Sequence, residues 1–156
     1  MPVVASDLVA FLRGKGLPVS EKRILEVAER FCQIMQKPEI AAVFRPDYYA
    51  HFLADRLQVE REYRFALRYD DNLLSGSLDR LVVGYQGDRA CNAEIIDFKT
   101  DQPEAASATD WLDRKKLAYA PQIAAYRYAV SRLTGLSIEK ISAKLLFVEA
   151  DIVCYL

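Results

Sequence analysis

The hydrophobic positions change period along this chain. In the first third they recur at helical spacing. Ser6 is placed to cap a short helix carrying Leu8, Phe11 and Leu12, which ends at Gly14 and Gly16. Ser20 caps a clearer helix with Ile24, Val27, Ala28, Phe31 and Met35 on one face. Pro38 suits the first turn of a third, ending near Phe44. From Leu57 the period is two, with Val59, Arg61, Tyr63 and Phe65 alternating against Glu60, Glu62 and Arg64. Asp70-Asp71-Asn72 marks a hairpin turn, and the next strand runs from Leu73 to Tyr85. A second turn at Gln86-Gly87-Asp88 leads into the strand that carries Asp97. A polar loop then reaches Trp111, and a helix follows with Pro121 pre-set for its start and Gly135 at its stop. Ile141 to Leu156 reads as a strand broken near Glu149-Ala150-Asp151. Helices, a three-strand meander, a helix and a further strand predict an α/β fold, a mixed central sheet flanked by helices.

Chemistry enters at Glu94-Ile95-Ile96-Asp97-Phe98-Lys99-Thr100, an apolar and β-branched run that reads as a buried strand. Alternation sends Asp97 and Lys99 to one face and Ile96 and Phe98 to the other. A carboxylate and an ammonium on such a strand are costly unless paired or metal-bound. Asp79, in Gly76-Ser77-Leu78-Asp79-Arg80, lies on the neighbouring strand. Both carboxylates can then serve one hard cation, Mg²⁺ or Mn²⁺, with the Phe98 carbonyl as a further oxygen ligand. Lys99 can hold or deprotonate an attacking water and offset charge on a pentavalent phosphate. An isolated acid-x-Lys triplet is usually a solvated strand face. The joint pattern points instead to metal-dependent phosphodiester hydrolysis.

Composition narrows the classes. The 156 residues suggest one domain, and a net charge of −1 gives no global basic field, so nucleic-acid contact requires a local patch. Cys32, Cys91 and Cys154 have no paired spacing, so they read as buried free thiols rather than a disulfide framework, a zinc site or an iron–sulfur cluster. No apolar run is long enough to span a membrane and no signal-peptide pattern opens the chain, so a cytoplasmic protein without membrane contact is expected. A phosphate-binding loop of the GxxxxGK[ST] type is missing, so this chain is not itself an ATP-driven motor.

The ordered residues resemble the RecB-like branch of the PD-(D/E)xK nucleases, most closely the C-terminal nuclease domain of AddA-type helicase–nuclease subunits. The likeness rests on Gly76, Asp79 and Arg80, on Ile95 to Thr100, and on Gln122 and Tyr126 in Tyr119-Ala120-Pro121-Gln122-Ile123-Ala124-Ala125-Tyr126. Pro38 to Phe44 and Leu145-Leu146-Phe147 extend it over 38–156, leaving 1–37 as N-terminal helices of the same domain. It implies a restriction-endonuclease-like core and a Mg²⁺-dependent deoxyribonuclease, an exonuclease acting in double-strand-break repair. It also implies DNA and a helicase subunit or helicase domain as partners.

Gln122 and Tyr126 stand four apart on one helix face. Spacing alone fits Tyr126 as core and Gln122 as rim, whereas the resemblance implies that Gln122 reaches the scissile region or Lys99 and that Tyr126 braces the helix or touches DNA. An acid on the first strand followed by an aromatic is a family habit that Glu62-Tyr63-Arg64-Phe65 resembles, and Glu60 has the same parity. Arg114, Lys115, Lys116, Arg127 and Arg132 are candidate phosphate contacts, or equally a solvated basic face. The family's metal-binding histidine, in a Gly-Thr-x-x-His setting, has no counterpart. His51 in Tyr48-Tyr49-Ala50-His51-Phe52 is in the wrong context, and Asp7 is a conceivable substitute. Two rival readings follow: a catalytically inactive DNA- or protein-binding module of the same fold, and a restriction-type endonuclease that cuts internal sites.

Overall fold

The computed structural model describes residues 5–16, 18–103 and 108–156. They fall into two compact units, Met1–Arg45 and Pro46–Leu156. The predicted loop between Thr100 and Trp111 lies partly outside the described residues.

The first unit is helical: α1 (Ala5–Gly14), α2 (Glu21–Met35) and α3 (Pro38–Ala42). Ser6 lies within the first turn of α1 rather than capping it. Ser20 does cap α2, its side chain accepting from the Arg23 N–H at 3.3 Å. Val9 meets Ile24 and Ala28, flanked by Leu8 and Leu12. Val27 and Phe31, expected on the buried face of α2, stay exposed. The Pro38 helix, expected with the nuclease core, falls in this unit.

The second unit opens with a 3-10 helix, Pro46–Phe52, and builds one five-stranded sheet in the order β1-β2-β3-β4-β5. The strands are β1 (Arg56–Tyr69), β2 (Asn72–Gln86), β3 (Arg89–Lys99), β4 (Ile141–Phe147) and β5 (Ile152–Tyr155). All neighbours are antiparallel except β3 and β4, which run parallel because α4 (Ala108–Thr134) connects them. β3 is covered on both faces, so Ala93 to Asp97 are all buried. On the face under α4, Ala93, Ile95, Leu145 and Phe147 pack with Trp111, Ile123 and Val130. The other face holds Val82 against Tyr49 and Phe52.

α4 corrects the expected helix boundary. It starts before Trp111 and carries Pro121 in its interior. Pro121 lacks the N–H that would bond the Leu117 carbonyl, but Leu117 is 76 % exposed, so water can take that bond. Gly135, at φ +75°, ends the helix in the left-handed conformation and donates its N–H to the Ser131 carbonyl at 2.9 Å.

The β1–β2 hairpin departs from simple alternation. Leu57 and Val82 pack beneath the 3-10 helix, whereas Tyr63, Phe65, Leu67 and Leu78 join the α4 core. Arg61 pairs with Arg80 and Tyr63 with Leu78, so the register is kept while both strands change face between them. Glu62 makes the switch with φ +49°, a conformation rare for a non-glycine residue in a strand. The side chains at 59 and 61 therefore do not share a face with those at 63 and 65, as strict alternation predicted.

Candidate active site

The switch stands beside the predicted chemistry. Asp79 occupies the position on β2 between Leu78 and Arg80, directly after the ladder to β3 ends at Arg80–Ile96. Its Oδ2 accepts the Phe98 N–H at 2.8 Å. This bond fixes Asp79 to β3 where the backbone ladder has ceased, and its other oxygen is uncommitted among the described residues.

Asp97 and Lys99 lie on one face of β3, as alternation requires, and form an ion pair. Asp97 is only 3 % exposed, and its Oδ2 accepts no well-formed hydrogen bond. Burial pushes its carboxyl above the usual value; Lys99 opposes the shift and the charge of Asp79 adds to it. Lys99 is shared: its Nζ donates to Gln122 Oε1 at 3.1 Å and sits 4.3 Å from the centre of the Tyr119 ring. Gln122 Nε2 in turn donates to the Tyr126 hydroxyl at 2.8 Å. Burial raises the Tyr126 hydroxyl pKa, with Asp97 and Asp79 adding to the rise.

Gly76 explains why this helix face comes so close. A Cβ there would lie 2.9 Å from Phe65 Cζ and 3.4 Å from Tyr126 Cε1. Without one, Phe65 and Tyr126 meet edge to face at 6.0 Å, which sets the part of α4 that presents Gln122.

Thus Asp79, Asp97, Lys99, Gln122 and Tyr126 come together. Glu62 lies between Arg61 and Tyr63, whose partners Arg80 and Leu78 flank Asp79, and is exposed, and Glu60 accepts from Gln58 Nε2 at 2.7 Å. Of the basic candidates, Arg114 is exposed and Lys116 half-buried, while Lys115 is ion-paired to Asp101. Arg127 donates to the backbone carbonyls of Ile141 at 2.9 Å and Leu156 at 2.7 Å, so its guanidinium braces β4 and the C-terminus. His51 is exposed, with Nδ1 donating to the Tyr48 carbonyl at 3.0 Å. The cysteines are free, but only Cys154 is buried.

Two groups went unread in the sequence. Tyr119 precedes Gln122 by three positions, so helical spacing already put it on the site face. Its hydroxyl donates to Asp101 at 2.8 Å, and burial and that carboxylate push its pKa up to about 12. On the opposite face of β3, Glu94 pairs with Lys144 at 2.6 Å, joined by Ser142 at 3.2 Å and by the Tyr48 hydroxyl. The signal was three polar side chains, Glu94, Ser142 and Lys144, on two otherwise buried neighbouring strands.

Two acids and an ammonium on the inner strands β2 and β3 thus meet an amide from α4, the kinds of group that phosphodiester hydrolysis uses. In agreement, residues 15–153 match the model of the PD-(D/E)XK nuclease superfamily, and the chain belongs to it. Its sheet and flanking helices are the restriction-endonuclease-like fold of that superfamily. No curated protein matches the chain.

Proposed function

We propose that this protein is a RecB-like, metal-dependent deoxyribonuclease domain that works as an exonuclease in double-strand-break repair beside a helicase subunit or helicase domain. The observation that carries the reading is the chain of contacts Asp97–Lys99–Gln122–Tyr126 next to Asp79. A purely structural role leaves a buried carboxylate with a raised pKa unexplained.

The donor set suits a hard divalent ion. Asp79 offers an uncommitted oxygen, and Asp97 is a desolvated carboxylate whose ionised form a cation would favour. Among the described residues no group of three or more His, Cys, Asp or Glu side chains gathers. In this reading Asp79, Asp97 and the Phe98 carbonyl would hold the ion, with water completing its shell. A bound Mg²⁺ or Mn²⁺ supplies Lewis acidity at the scissile phosphate and makes its water more acidic.

In this reading the Lys99 ammonium orients the attacking water and offsets charge on the pentavalent phosphate. Gln122 holds Lys99 through Oε1, and Tyr126 holds Gln122, so the amide cannot rotate away. Glu62 is an auxiliary acid across from Asp79, and Arg114 and Lys116 grip phosphates, while Lys115 and Arg127 keep their protein partners. The non-catalytic binding module remains the second reading, because Lys99 already neutralises Asp97 and only two carboxylates meet.

The test is cleavage of linear and closed circular DNA in Mg²⁺, Mn²⁺ or EDTA, with Asp97→Ala and Lys99→Ala beside the wild type. Cleavage of linear DNA only, lost in EDTA and in both variants, supports the exonuclease. Cutting of circles favours the restriction-type endonuclease, and folded wild type that cleaves nothing favours the binding module.

A further inference from the structure

β3 pairs with β2 only from Arg80 to Gln86, so the remainder of the hairpin, 62–79, continues as a two-stranded ribbon. One side of the ribbon is committed: Phe65 and Tyr69 contact Tyr126 and Tyr128 of α4 through their rings. The other side carries Arg64, Ala66 and Arg68, paired with Ser77, Ser75 and Leu73.

The left-handed Glu62 adds a third arginine to that side. With strict alternation Arg61 would point away from Arg64 and Arg68. Because both strands change face at 62 and 79, Arg61 joins them on the face opposite α4. All three are exposed, and among the described residues none makes a side-chain hydrogen bond, ion pair or ring contact. The acids closest to them in sequence, Glu60, Glu62, Asp70 and Asp71, pair with none of them. On one ribbon face, three exposed guanidiniums without protein partners among the described residues make a local basic patch that suits a polyanion.

We propose that this face of the β1–β2 ribbon is a DNA-backbone clamp in which Arg61, Arg64 and Arg68 each engage a phosphate of the bound DNA. It deepens the proposed nuclease reading by placing the substrate's contact surface. Residues 64 and 68 lie about 13 Å apart along a strand, and 61 and 64 about 10 Å, so each guanidinium can meet a phosphate of its own. The contact reads charge rather than sequence.

The experiment uses fluorescence anisotropy with a labelled DNA duplex in EDTA, where binding is read without cleavage, at a series of salt concentrations. The triple variant Arg61→Gln/Arg64→Gln/Arg68→Gln is compared with Arg56→Gln/Arg89→Gln/Lys140→Gln, which removes the same three charges at the other end of the sheet. The clamp predicts that the first triple binds at least about tenfold more weakly and that its log K against log salt slope is shallower by about 2.7, with the second triple close to wild type. An unchanged slope in the first triple, or equal losses in both, overturns it. Circular dichroism melts check that both triples are folded. If Arg64→Gln/Arg68→Gln must replace an unfolded triple, the predicted slope change is about 1.8. A wild type that binds through the ribbon but cleaves nothing would sink the nuclease reading and leave the clamp. One that cleaves with an unaltered slope in the triple would do the reverse.

Discussion

Strand β3 presents two buried acid–lysine pairs, three residues apart and on opposite faces, and they are held in opposite ways. Glu94 and Lys144 are sealed, their side chains 3 % and 4 % exposed. Ser142 and Tyr48 add further polar contacts. Burial pulls Lys144 down, but Glu94 and Tyr48 outweigh it and its pKa rises, so the ammonium stays charged. Asp97 and Lys99 are less settled. Lys99 is partly open to solvent, is shared between an ion pair with Asp97 and a hydrogen bond to Gln122, and leaves Asp97 with a raised pKa. A sealed pair holds a fold together. An imbalanced pair with an opening is equipped to exchange its partner for a ligand.

The largest effect should come from breaking the sealed pair. Glu94→Ala strands the Lys144 ammonium in the interior and should cost about 3–5 kcal/mol in urea unfolding, while Glu94→Leu/Lys144→Met should recover most of that. Next comes the brace on the open pair. Gln122→Ala should lower kcat by about 10- to 100-fold with little change in KM or melting temperature, since it removes orientation rather than binding. Gly76→Ala should do the same less specifically, because its Cβ displaces Phe65 and Tyr126, and it should also cost about 1–3 kcal/mol of stability.

Titration sharpens the contrast further. The folded-state pKa of Asp97 is raised, so its contribution to stability is full below the unfolded value near 3.8 and is lost as pH rises through the folded value. Asp97→Asn should therefore be more stable than wild type at neutral pH, read as a higher melting temperature. Catalysis needs the ionised acid and a bound cation favours it, so raising the Mg²⁺ concentration should move the acid limb of the pH–rate profile to lower pH. Asp101 behaves oppositely: its bond from Lys115, chiefly, lowers its pKa. Its contribution is present above 3.8 and lost as pH falls through the lowered value, and Lys115→Ala should cost only about 0.5 kcal/mol.

Much of this was legible in the sequence. An apolar run with acid and lysine two apart specifies a strand with both on one face, and four-residue spacing puts Gln122 and Tyr126 together on a helix. What stayed hidden depends on contacts between distant segments. Nothing in the alternation of β1 marks Glu62 as left-handed, because its side chain is no different from any exposed strand acid; the switch arises where the hairpin must serve two cores. Arg127 looked like a surface cation until its two carbonyl partners, one of them at the chain's last residue, were brought beside it. Pro121 carried the signal of a helix start, and its interior position falls on a stretch of the helix where Leu117 is exposed.

The two pairs can be separated by neutralising one acid in each without changing its shape. Linear DNA cleavage in Mg²⁺ and the melting temperature would be measured for wild type, Asp97→Asn and Glu94→Gln. Asp97→Asn should lose cleavage by about 10³-fold or more with an unchanged or higher melting temperature, and Glu94→Gln should melt lower while its folded fraction still cleaves. Cleavage retained by Asp97→Asn would contradict the assignment of the open pair as the nuclease site.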